Sequence, residues 1–284
     1  MTSTPLIWIS TLALTLTLLL LPYNKAAAQK EAASLISIGH TDLLDTYLSQ
    51  EKATGLELRY TKEKANRKNL KTDSTATMPR LRRWSTYIVQ EAFFTKAGTR
   101  GNDNSFLGAL YNLRFGWHYN IDPLSPAPAC ESYASSPRSP LNLRIGLLTD
   151  LSLGGLYNTR NSNNPAQARM ALSLDPSVMA TWRFHLKGRP FTLRYVAAAP
   201  ALGIAFSPNY GQSYYEIFTH GNYDHNIVFT SPASGLQLHQ MLILGFRLWH
   251  ISFSIGYLGD IRQMSVNSLK YHQYTHALTI GWMY

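Results

Sequence analysis

The stretch YHQYTHALTIGWMY, residues 271–284, alternates without a break. Successive side chains of an extended strand point to opposite faces, so Tyr274, His276, Leu278, Ile280, Trp282 and Tyr284 share one face. Thr275, Ala277, Thr279 and Gly281 share the other. An apolar row ending in aromatics, backed by small and polar residues, suits a strand with lipid on one side and a barrel lumen on the other. The stretch therefore reads as the closing strand of a transmembrane β-barrel. Trp282 and Tyr284 are expected at the membrane boundary, where the barrel-assembly machinery would engage that strand.

Composition agrees. Charged residues make up 15% of the 284, against about 25% in ordinary soluble domains. Tyrosine is abundant, with 17 copies, and only residues 6–21 form a long apolar run. That run, followed by Pro22 and by Ala26, Ala27 and Ala28 before Gln29, reads as a secretory signal cleaved after residue 28, although no Lys or Arg precedes it. Residues 29–284 are then one barrel domain, placed in the outer membrane of a Gram-negative bacterium. The formal charge of +10 comes from scattered residues, clustered only at Arg80, Arg82 and Arg83. Acidic lipid headgroups and lipopolysaccharide are better partners for such a surface than nucleic acid. Cys130 is the only cysteine, so no intrachain disulfide forms.

Strands recur along the chain. In residues 106–120, Leu107, Ala109, Tyr111, Leu113, Phe115, Trp117 and Tyr119 alternate with Gly108, Asn112, Arg114, Gly116 and His118. In the next, Leu141, Leu143, Ile145, Leu147 and Leu151 alternate with Asn142, Arg144, Gly146, Asp150 and Ser152. Further strands are read at residues 34–39, 55–60, 84–94 and 177–186, with Lys187 and Gly188 as a tight turn into Phe191, Leu193 and Tyr195. Parity switches at Pro200 to Leu202, Ile204 and Phe206, as a bulge would make it do. A hairpin of residues 238–248 and 251–257 precedes the closing strand, giving about ten antiparallel strands. Residues 40–52, 61–83, 96–104, 156–167 and 259–270 read as polar connections, and 61–83 as a mobile loop. The turns at Lys187 and Trp249 fall in the periplasm, and the loops at Asn158, Asn209 and Arg262 outside. The first half obeys the short-turn rule poorly, since residues 61–83 and a Pro-rich connection also fall at the periplasmic end.

The less apolar face carries Arg59, Arg114, Arg144, Arg183, Arg194 and Arg247, with Glu57, Glu91 and Asp150 to pair with some of them. A soluble sandwich would have to bury these guanidinium groups in an apolar core, which is costly, whereas a polar lumen accepts them. The apolar face is therefore expected to look outward.

Within this frame, IGHTDLLDTYLS (38–49), GLELRY (55–60), LYNTRNSNNPAQA (156–168), FSPNYGQSYYEIF with GNYDHN (206–226) and LKYHQYTHA (269–277) are similar to a family of outer-membrane β-barrel proteins typical of Bacteroidetes, a domain of unknown function. The resemblance implies location and architecture and brings no activity or site residues.

Chemistry is sparsely signalled. His250 and Ser252 share a face as the base and nucleophile of an outer-membrane lipid hydrolase would, but a turn histidine beside a lumen serine explains them. Glu216, His220, Asp224 and His225 lie in one loop without the second carboxylate pair that an omptin-like protease needs. No catalytic residue, metal or cofactor is expected. Tyr210, Tyr214, Tyr215, Phe218 and Tyr223 crowd the same loop and offer either a cover for the mouth or a platform for a glycan or protein. The functional expectation is a structural or surface-contact barrel without catalysis. A narrow anion-preferring channel is the alternative, because six arginines outnumber three acids among the lumen residues recognised here.

Overall fold

The computed structural model describes residues 29–69, 81–101, 104–121, 141–161, 164–248 and 251–283. Ten long antiparallel strands close on themselves: β1 (Gln29–Asp45), β2 (Ala53–Asn69), β3 (Leu81–Thr99), β4 (Ser105–Ile121), β5 (Leu141–Asn158), β6 (Ala166–Leu186), β7 (Arg189–Ala198), β10 (Gln237–Leu248), β11 (Ile251–Val266) and β12 (Leu269–Met283). β12 pairs with β1, Trp282 standing opposite Ser34, and completes the ring. Two short strands, β8 (Leu202–Phe206) and β9 (Ile227–Thr230), extend the wall beside β6. One helical turn, α1 (Tyr214–Phe218), lies between them.

Parity runs as the alternation dictates. Along β4 the odd residues from Leu107 to Trp117 face out and the even ones are buried, and along β12 Leu278 and Ile280 face out while Ala277 and Thr279 are buried. Adjacent strands keep the same parity in register. Phe94, Leu58, Ile38, Leu278, Tyr257, Leu242 and Tyr195 form one continuous outward row around the barrel. The turn of Lys187 and Gly188 has φ of 50° and 75°, the paired left-handed geometry that matches strand twist in a two-residue hairpin. The switch at Pro200 is a one-residue bulge: Ser177 faces Ala198 but Leu174 faces Leu202.

Several strands outrun their sequence boundaries. Residues 61–69 and 81–83, expected in a mobile loop, continue β2 and β3, and residues 70–80 lie outside the described part. Residues 40–45 belong to β1, 96–99 to β3, 156–158 to β5 and 166–176 to β6. The expected loop 259–270 is mostly strand, turning only at Asn267 and Ser268, whose φ values are 51° and 59°. At the end of β2 Lys62 and Lys64 point out opposite inward Glu63, so both faces are polar and the period-two contrast vanishes. The expected signal segment, the Pro-rich connection, Cys130, His250 and Tyr284 also lie outside the described residues.

Candidate functional site: the braced lumen and its lid

The interior is layered. Leu43, Ala53, Ala97, Phe106, Leu156 and Tyr271 pack together below the loop end opposite the termini. Toward the end bearing the termini, Tyr87, Val89, Leu148, Met179 and Val196 form one apolar cluster and Leu35, Met241, Ile243 and Leu258 another. A belt of charge lies between.

Arg59 is the hub. It is 1% exposed, and its Nη atoms reach Glu57 Oε1 at 2.6 Å, Glu91 Oε1 at 3.1 Å and Asp260 Oδ2 at 2.7 Å, with its guanidinium 4.4 Å from the Phe93 ring. Arg114 Nε pairs with Asp150 at 2.9 Å and its Nη2 approaches Glu91 at 3.5 Å. Arg262 Nε meets Asp260 at 3.0 Å. Neutral donors complete the shell: Gln273 Nε2 and Thr275 Oγ1 donate to Glu57 at 2.9 and 2.8 Å, and Asn112 Nδ2 to Glu91 at 3.0 Å. Two further pairs cross the lumen. Arg194 of β7 pairs with Glu63 of β2, and Arg169 of β6 with Asp45 of β1 while lying 3.6 Å over the Tyr271 ring. Each joins strands on opposite sides of the ring, so the interior is bridged from wall to wall.

The expected lumen residues are thus mostly brought together. Arg59, Arg114, Arg144, Arg194, Glu57, Glu91 and Asp150 are buried. Arg144 donates from Nε to Asn142 at 2.7 Å. Arg183 is only half-buried, and Arg247 is exposed at the mouth beside the termini, where the wall ends. Asp45, Glu63 and Asp260 were missed among the acids because they lie in stretches read as connections, and Asp175 because it lies ahead of the strand read from residue 177. The expected excess of arginine is corrected accordingly: Arg169 and Arg262 join the list, but these four acids nearly balance it.

Glu91, His239 and Asp260 bring one potential metal-ligand atom each within 4.8 Å of one another. Arg59 Nη1 already bridges the two carboxylates, and Arg114 and Arg262 stand beside Glu91, so a metal cation would meet guanidinium charge in that space.

A lid covers the opposite mouth. Ser213 caps α1, its Oγ accepting from Glu216 N at 3.2 Å while Glu216 Oε2 accepts from Ser213 N at 2.7 Å. That gives Glu216 a local structural task. Tyr47, in the turn after β1, donates to Gln212 O at 3.1 Å and meets the Tyr214 ring edge-on at 5.8 Å. Burial raises the Tyr47 phenol pKa. Tyr214 accepts from Ala168 N at 2.7 Å and donates to Gln167 Oε1 at 3.2 Å, so it turns inward instead of serving as a surface contact. Tyr210, Tyr215, Phe218 and Tyr223 remain 61–70% exposed. His220 lies against Tyr215, and Asp224 and His225 form an exposed pair, so these groups do not converge with Glu216 on one centre.

The lid should loosen with alkali. A phenol whose folded pKa is raised stabilises the closed state fully below its ordinary pKa of 10 and loses that contribution as pH rises through the elevated value. Tyr47→Phe is expected to remove one hydrogen bond, worth about 1 kcal/mol. Proteolysis within residues 207–226 should be severalfold faster in the variant at pH 8, and unchanged cleavage would show that Tyr47 does not hold the lid.

Solved structures show barrels of distant sequence. The transport unit of the autotransporter AIDA-I from Escherichia coli is 9% identical, with 97% of this chain and 96% of that one covered and a TM-score of 0.48. The translocator domain of autotransporter NalP from Neisseria meningitidis is 8% identical, with coverage of 96% and 94% and a TM-score of 0.38. Neisserial surface protein A is 9% identical, with coverage of 90% and 99% and a TM-score of 0.29. No curated protein matches. A family model matches residues 11–284, nearly the whole chain, and the protein belongs to that family, described as Protein of unknown function (DUF3316).

Proposed function

We propose that this chain is a non-conducting outer-membrane barrel that holds an aromatic lid at the cell surface, where the lid contacts a glycan or protein. The wall-to-wall pairing of Arg194 with Glu63 and of Arg169 with Asp45 carries the non-conducting part, because these pairs cross the space an ion would need. Outward Ile38, Leu56, Phe94, Trp117, Ile145 and Ile280 are more than half exposed, and an apolar belt of that kind requires lipid. Residues 1–28 act as the export signal, and the end bearing both termini faces the periplasm. Tyr210, Tyr215, Phe218 and Tyr223 supply broad, stiff contact area at low entropic cost. The role requires no catalysis and no cofactor.

Planar-bilayer recording of the purified barrel tests the first part. Silence is expected, and steady anion-selective steps would replace the scaffold reading with the channel. Removal of residues 212–226 tests the second. Binding of cell-surface glycans or proteins should fall while heat-modifiable migration persists, and unchanged binding would reduce the lid to a cover.

A further inference from the structure

The barrel wall is discontinuous in its outer half. β7 leaves β10 after the pair Ala198 and His239, and past the bulge the chain continues as β8 along β6. β9 pairs with the free edge of β8, and among the described residues no ladder joins β9 to β10. The connection between them is a single 3-10 turn, Pro232–Ser234, tied to β11 where Gln263 N donates to Leu236 O at 3.1 Å. Gly235 has φ of 146° there, and a Cβ would meet the Gln263 carbonyl oxygen at 2.4 Å, so the close approach requires glycine.

Behind this seam is a cavity of about 60 Å³. One lip carries Pro200 and Thr230 and the other Gln237 and Leu238, and Leu238 and its partner Ile261 reach the cavity from outward-facing positions. Its inner wall is polar and incompletely satisfied. Asp175 is 3% exposed and, among the described residues, its carboxylate accepts one hydrogen bond, from Ser173 Oγ at 2.6 Å. Among the described residues Asp150 Oδ1 is buried without a hydrogen-bond partner. His239, with its side chain 10% exposed, has no hydrogen bond at Nδ1 among the described residues, and this atom stands 3.9 Å from Asp260 Oδ1. Arg114 and Arg262 also line the cavity, but Asp150 and Asp260 hold them, whereas Asp175 has no ion pair among the described residues. A buried carboxylate without an ion pair, beside the partnerless Asp150 Oδ1, is a costly arrangement that a cationic donor relieves.

We propose that the seam admits an amphiphile from the surrounding leaflet, its primary-ammonium head entering the cavity to donate to Asp175 and Asp150. The apolar tail stays outside against Leu238, Ile261 and Phe229 of β9. Entry is lateral because the lid covers the mouth and the braces cross the lumen. The cavity volume equals about two waters at about 30 Å³ each, which suits a small head group. The inference rests on the membrane-spanning reading given above.

The test uses the full barrel in lipid vesicles at pH 8, with spin-labelled octadecylammonium as probe. The same chain ending in a carboxylate or a hydroxyl serves for comparison, and the immobilised fraction is measured. The ammonium probe is expected to bind about tenfold more tightly than either, and Asp175→Asn to remove most of that preference, as loss of a charge-assisted hydrogen bond would. Asp42→Asn, an exposed change away from the seam, should leave it intact. Asp175→Asn removes a buried unpaired charge, so the fold is expected to survive, and heat-modifiable migration verifies this. Equal immobilisation of the three probes, or an unchanged preference in a folded Asp175→Asn barrel, overturns the seam site and leaves the scaffold standing. Failure of the wild-type protein to insert overturns the membrane reading, and this proposal with it.

Discussion

Arg59→Met is expected to destabilise the barrel by about 3–5 kcal/mol, the usual consequence of stranding buried charges by removing their partner. The three carboxylates around Arg59 do not suffer alike. Asp260 keeps Arg262 at 3.0 Å, and Glu91 keeps Arg114 and Arg262 at 3.5 and 3.7 Å. Glu57 has no other cation among the described residues and is left with Gln273, Thr275 and a long contact from Thr95. Most of the loss should therefore sit on Glu57. Adding Glu57→Gln to the variant should recover more than half of it, and Glu91→Gln considerably less. Urea unfolding in lipid vesicles measures each step. A loss below about 1 kcal/mol for Arg59→Met, the size of an exposed ion pair, would mean that the hub is not dry and the lumen not closed.

The strand faces were legible where one face is apolar and the other is not. In β4 the outward Tyr111, Leu113, Phe115 and Trp117 alternate with Asn112, Arg114 and Gly116, in β12 Leu278 and Ile280 alternate with Thr279 and Gly281, and the structure keeps those faces. Legibility failed where that contrast was lost. Glu63 was missed because Lys62 and Lys64 flank it, which makes the strand end polar on both faces. Asp175 was missed because Pro176 interrupts the run, and proline argues against a central strand. The structure tolerates it at the bulge, where Pro176 O accepts from Ala199 N at 3.2 Å. Asp260 and Arg262 follow Gly259, which reads as a turn but is buried within β11. The pairings themselves were beyond the sequence. Arg194 and Glu63 are 131 positions apart, and only closure of the ring sets them opposite each other.

Closure also changes what the arginines say. A polar face rich in guanidinium suggests water, yet Arg59, Arg114 and Arg194 are all buried, each held by carboxylates. A lumen can be charged in sequence and dry in structure when the charges pair across it. The lipid-facing assignment therefore cannot lean on the cost of burying arginine, and it stands instead on the outside of the barrel.

That outside surface gives the second large effect. Leu278 is 61% exposed in the middle of the outward row, with Ile38 and Tyr257 beside it on the neighbouring strands. If the row lies in hydrocarbon, Leu278→Arg should cost about 2–4 kcal/mol in vesicles, the penalty for a guanidinium on the lipid face near the midplane. The adjacent inward position gives the contrast. Thr279→Ser keeps a hydroxyl facing Ser37, which Thr279 meets at 2.7 Å, and should cost far less. Moving the arginine along the same strand adds a depth profile: at His272, nearer the lid, the penalty should shrink toward zero as the side chain reaches the headgroups. In a soluble barrel all of these outward positions would face water, and an arginine at Leu278 would be tolerated like any exposed substitution, within about 0.5 kcal/mol. A flat profile between positions 272 and 280 would therefore remove the membrane from the account, whereas a maximum near Leu278 would place the hydrocarbon around that row.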